Sequence, residues 1–181
     1  FGQWFQREHF VATKRLRSAH AHEELLNLLK ARALFEGGER PVFLRYGGTK
    51  DVLWIDLGDQ SGAAVRIDAD GWSVEHDHDV RFRRGTGTLA LPPPARGGSI
   101  AGYRDLLGLD EANWYRVIAF LLACIRPTGP FFCLLIEGQQ GSGKSVLGST
   151  IKAIIDPHRL DRVRLPKSEH DLIIQAKESS L

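Results

Sequence analysis

Gly138 and Gly143 stand five residues apart in IEGQQGSGKSVL (136–147), and Lys144 and Ser145 follow directly. Those residue types at that spacing suit the phosphates of a nucleoside triphosphate. Glycine lets successive backbone N–H groups turn inward around a phosphate with no Cβ in the way. A helix opening near Gly143 would aim the positive end of its dipole at the same anion. Lys144, the candidate catalytic cation, would reach the β- and γ-phosphates. Ser145 would place its hydroxyl on the Mg²⁺ that bridges them. Gln139, Gln140, Gly141 and Ser142 would contribute mainly backbone. The expected cofactors are ATP and Mg²⁺; the loop does not choose between ATP and GTP, because base recognition lies outside it.

Such a loop works between a strand and a helix. FFCLLI (131–136) is apolar without alternation, which suits a strand buried on both faces of a parallel sheet. Val146, Leu147, Ile151, Ile154 and Ile155 then recur at helical spacing until Pro157. RVRL (162–165) suggests a second strand, and Ser168 with Asp171 makes a capping pattern for a short helix. Upstream, Asp110 is placed to cap a helix over about 111–125 that Pro127 ends. Its run Val117–Ile125 is apolar on nearly every side and predicts a buried helix. A shorter helix is expected near 100–107. Cys124 and Cys133 fall in apolar runs and read as buried thiols.

The first 84 residues read as a helical and β-rich module. Residues 1–36 are helical in pattern, with Leu25, Leu28, Leu29, Ala33 and Leu34 on one face and Gly37-Gly38 as the stop. PVFLRY, DVLWIDL, AAVRID, WSVEH and VRFRR are short β-type runs separated by turn residues, which predicts a small antiparallel sheet of about four or five strands. Residues 85–99, GTGTLALPPPARGGS, read as a stiff Gly/Pro-rich linker and domain boundary. Residues 100–181 then form the first part of a P-loop domain. The fold class expected is α/β: a partial P-loop NTPase core preceded by a small helical and antiparallel β module.

Other polar clusters carry less. Arg81, Arg83 and Arg84 could contact a nucleic-acid backbone, although a charged edge strand that stays soluble explains them as well. His20 with His22, and EHDHD (75–79), resemble metal ligands, but nothing in the sequence completes either set. Thr49-Lys50-Asp51 lacks the spacer that a guanine-reading motif needs.

The composition is that of a soluble globular chain, with 43% apolar and 25% charged residues and a net charge of +2, which permits a nucleic-acid partner without arguing for one. No early apolar run reads as a signal peptide, and none approaches the ~20 residues of a membrane span. A cytoplasmic chain with no membrane partner is expected. The absence of Met and the opening Phe1 suggest a fragment of a longer protein.

LPKSEHDLIIQA, together with GQQGSGKS, resembles the helicase-like AAA+ ATPases of phages and integrated mobile elements, which are similar to superfamily 3 helicases and are often primase-associated. WIDLGDQSGAAVRIDADGW and VRFRRGTGTLALPPPARGGSI resemble the segment that precedes their ATPase core. The resemblance spans roughly residues 40–178. It implies a DNA-dependent ATPase that assembles into a homo-oligomer, with Gly138 to Ser145 as its Walker A loop. The family's Walker B, sensor and arginine-finger elements have no match here. The alternatives left open are a nucleotide-responsive adaptor whose β-rich module recognises a partner, and a small-molecule kinase.

Overall fold

The computed structural model describes residues 2–160 and 168–176. They fall into two compact units, Phe1–Arg40 and Pro41–Leu181.

In the first unit, α1 (Gly2–Thr13) precedes α2 (Ala19–Phe35). Ser18 caps α2 by accepting the Ala21 N–H at 3.3 Å, and the helix ends before the glycine pair. The Arg17 guanidinium lies over the Phe5 ring, which also meets His22. The apolar stripe is largely uncovered, with Leu28 57% and Leu34 75% exposed.

The second unit opens with β1 (Val42–Phe43), β2 (Tyr46–Gly48), β3 (Leu53–Asp56), β4 (Ala64–Asp68), β5 (Gly71–Glu75) and β6 (Arg81–Phe82). β2 to β5 form an antiparallel sheet in sequence order, as the alternating runs predict, whereas β1 and β6 make a separate parallel pair. The register sets Ile55 beside Val65, and Leu53, Ile67 and Trp72 in a row. Residues two apart share a face, so these side chains line one side of the sheet. That side builds two apolar clusters. Leu57, Ala63 and Val65 gather Ile55, Ile67, Trp72 and Leu91. Tyr46 joins Val117, Leu121, Ile151 and Ile155, with Leu53 and Ile55 packed against them.

The remaining elements are α3 (Ala101–Leu107), α4 (Glu111–Cys124), α5 (Lys144–Ile155) and α6 (Glu169–Ala176). Asp110 caps α4 as predicted, accepting the Asn113 N–H at 2.8 Å. That bond holds the Asp110 carboxyl below its usual carboxylate range. α4 is amphipathic rather than buried all round, for Trp114, Val117 and Leu121 face the core while Leu122 is exposed. Ser168 accepts the Asp171 N–H at the start of α6, matching the predicted cap.

Three expectations are corrected. Residues 85–99 do not separate two domains. They are a strap inside the second unit: the Leu89 N–H donates to Pro157 O, the Leu91 N–H to Leu57 O, and Thr88 bridges His158. The prolines follow the part of the segment that pairs, Gly87, Thr88, Leu89 and Leu91. FFCLLI forms no strand, because a strand exists through ladder bonds and no described residue pairs with it. Phe131, Phe132 and Leu135 are exposed, and so is Cys133, which is not the buried thiol expected. The second predicted strand, 162–165, lies outside the described residues.

Candidate phosphate-binding site

The loop 138–143 leads straight into α5, whose first residue is Lys144. Gly141 and Gly143 have φ of 83° and 81°, left-handed values that glycine adopts without a Cβ penalty. At Gly138 a Cβ would lie 2.6 Å from Ser142 Oγ, so any larger residue would force that hydroxyl to move. The Ser142 N–H donates to Gln139 O and tightens the bend. Lys144 folds back over this turn: its Nζ donates to Gly138 O at 2.6 Å and Gln139 O at 2.5 Å. Gln139, Gln140, Gly141, Ser142 and Ser145 are exposed. The structure therefore brings together every residue from Gly138 to Ser145 named from the sequence. They form an exposed turn with a cation across it and the N–H groups of a helix's first turn beside it.

What holds this helix is far from the loop. Ile151 and Ile155 are each 3% exposed, burial worth roughly 1.5–3 kcal/mol per side chain. The C-terminal end is gripped by β2 and the residue before it. Arg45, 1% exposed, donates through Nε to Asp156 Oδ1 at 2.7 Å, through Nη1 to Asp56 O, and through Nη2 to Leu89 O and Pro157 O. The Tyr46 hydroxyl donates to Ile155 O. Lys152 Nζ approaches Asp156 at 3.8 Å, and burial pulls the lysine below its usual value. These cations stand at the negative end of the helix dipole, where they stabilise it. Burial also pushes the Tyr46 phenol above its usual range. Its hydroxyl donates while protonated, so the stability this bond contributes is complete below the ordinary tyrosine value and is lost as pH rises from there through the raised value in the fold.

Arg45, Tyr46 and Asp156 are functional candidates that sequence reasoning missed. The available signals were one arginine inside the apolar run PVFLRY and one aspartate directly after an apolar helix. Neither says that the two meet across 111 positions.

The arginine cluster divides. Arg84 is spent on the fold: its Nε and Nη2 donate to Asp56 Oδ2 and Oδ1 at 2.7 and 2.6 Å, and Nη1 donates to Asp59 O. Asp56 is 2% exposed. Bonding to Asp56 raises the Arg84 value further, and the Ser61 hydroxyl holds Asp59 below its own. Arg81 and Arg83 are exposed. They sit on a module with eight acidic against six basic side chains between positions 41 and 84, a balance that does not favour a polyanion. Arg84→Ala would leave the buried Asp56 carboxylate with the Gly58 N–H but without its cation, and should lower unfolding free energy by roughly 1–3 kcal/mol. Urea unfolding of this variant beside Arg81→Ala checks it, since Arg81→Ala should cost nothing comparable.

EHDHD does not gather into a ligand set in the fold. Among the described residues no group of three or more His, Cys, Asp and Glu could hold an ion. The two ring nitrogens of His78 lie 3.1 Å from Val80 O and Gly62 O, tying this turn to the β3–β4 loop.

Residues 109–179 match the family model of the actinomycete integrative conjugative element replication protein. The matched stretch holds α4, the phosphate loop, α5 and α6 and covers less than half of the chain, with the β-sheet outside it. It is similar to a replication protein of mobile elements. No curated protein and no solved structure matches the chain. No described helix is long and apolar enough to cross a membrane.

Proposed function

We propose that this chain is the nucleotide-binding part of an ATP-dependent replication protein of a mobile element, with a helicase-like, AAA+ type P-loop domain acting on DNA as an oligomer. The observation that carries the reading is Lys144 lying across a glycine turn at the N-terminus of a helix anchored at its other end. The family match over the same stretch supports a role in mobile-element replication.

The residues fit a triphosphate on chemical grounds. Gly138 leaves the space a phosphate cradle needs, and the first-turn N–H groups of α5 point at an incoming anion. Lys144 would exchange its carbonyl partners for phosphate oxygens, a stronger charge-assisted pairing. Ser145, exposed on the first turn, would hold Mg²⁺, whose charge offsets that of the β- and γ-phosphates.

The test is titration of the chain with a fluorescent ATP analogue and Mg²⁺, followed by competition with unlabelled ATP, GTP and pyrophosphate. Saturable binding that all three displace is the expected result. Displacement by ATP but not by pyrophosphate would mean that the base, and not this loop, makes the site. No saturable binding sinks the reading.

A further inference from the structure

We propose that Arg45 is a positioning residue for the phosphate site, and that through it and Tyr46 the occupancy of the loop and the order of the β-sheet are linked. The inference rests on the nucleotide reading above and adds its regulation.

α5 is an uninterrupted helix of 12 residues, so it carries a displacement from one end to the other over roughly 18 Å. Its two ends are bonded differently. At the loop end, Lys144 Nζ is held by carbonyls of the loop itself, Gly138 O and Gln139 O. A phosphate must take Nζ from them, so the loop has two arrangements: closed on its own lysine, or closed on a ligand. At the far end the helix is bonded to β2 and its flank. Tyr46 holds Ile155 O, and Arg45 holds Asp156 and Pro157 O.

The same guanidinium reaches further into the sheet. Arg45 Nη1 donates to Asp56 O at the end of β3, and the Asp56 N–H donates back to Arg45 O. The Asp56 carboxylate then carries Arg84 just beyond β6. An unbroken series of polar contacts, buried at Arg45 and part-buried at Arg84, therefore runs from the phosphate helix through β2 and β3 to the basic edge. A buried pair that served stability alone would destabilise the chain when cut, yet the sheet would not respond to nucleotide. Linkage differs in being reciprocal: a ligand that selects one state of the loop must stabilise whatever state of the sheet goes with it.

Amide hydrogen exchange on the whole chain, with and without saturating Mg-ATP, separates these cases. Loop and helix amides at 138–150 report binding itself. The inference expects amides at 45–57 and 64–68 to slow as well, by roughly 5-fold or more. In Asp156→Asn and in Tyr46→Phe the loop amides should still slow while the sheet response shrinks. Tyr46→Phe removes one hydroxyl and decides the matter if Asp156→Asn does not fold. Slowing confined to 138–150 in the wild-type chain overturns the linkage and leaves nucleotide binding standing. A sheet response undiminished in the variants overturns the route through Arg45 and Tyr46. No change at 138–150 in the wild-type chain sinks the nucleotide reading and this inference with it.

Discussion

Arg45→Met should lower the unfolding free energy by roughly 3–5 kcal/mol, the range for removing one partner of a buried ion pair. The side chains of Arg45 and Asp156 are 1% and 5% exposed, so water screens almost none of the lost interaction. Methionine has the length to fill the space without a large cavity, which isolates the polar loss. That loss exceeds a single pair. The Asp156 carboxylate keeps Lys152 at 3.8 Å but loses its 2.7 Å guanidinium bond, and Asp56 O, Leu89 O and Pro157 O each lose a donor. Against a total domain stability of about 5–15 kcal/mol, the variant would be marginal. Arg45→Lys should recover only part of the deficit, because an ammonium keeps the charge but cannot fork to four acceptors at once. Urea unfolding of the three chains measures this. A cost for Arg45→Met below that of an ordinary surface substitution would mean that the pair does not hold α5 to the sheet.

That pair also marks the boundary of what the sequence could disclose. The shape of the glycine loop was legible residue by residue because its requirements are local: glycine where φ is positive, and lysine and serine on the helix's first turn. The Asp110 and Ser168 caps were legible for the same reason, since a cap and its N–H lie three residues apart. The antiparallel sheet could be read from alternation and turn chemistry. The errors concern partners distant in sequence. FFCLLI has the composition of a buried strand, but composition does not supply the neighbour that makes a strand, and none is found among the described residues. GTGTLALPPPARGGS has the composition of a linker. Its glycine-rich part pairs with residues 157–159, and Gly87 lies where a Cβ would run into the His158 ring. Arg84 read as a free cation because nothing local showed Asp56 buried beneath it.

Lys144→Ala should weaken binding of Mg-ATP at least about a hundredfold while leaving the fold intact. The two effects separate because of where Lys144 is bonded. Its Nζ is bonded to the loop's own carbonyls and lies near Ser142 Oγ, and none of these groups belongs to the core. The helix itself is fixed by Ile151, Ile155 and the bonds at Asp156. Removing this half-buried side chain, whose bonds stay within the loop, should shift stability by no more than about 1 kcal/mol. The ligand loses far more. Lys144 would make charge-assisted bonds to two phosphates, each worth roughly 1.5–3 kcal/mol, and every 1.4 kcal/mol is about tenfold in affinity. Titration with the fluorescent analogue, beside a urea curve for the same preparation, reads both quantities. Unchanged affinity in a folded variant would show that the nucleotide sits elsewhere. Lost affinity in an unfolded variant would show that the loop, and not only Ile151 and Ile155, holds α5 in place. Lost affinity with an unchanged urea curve is the pattern that a phosphate cradle at Gly138–Ser145 requires.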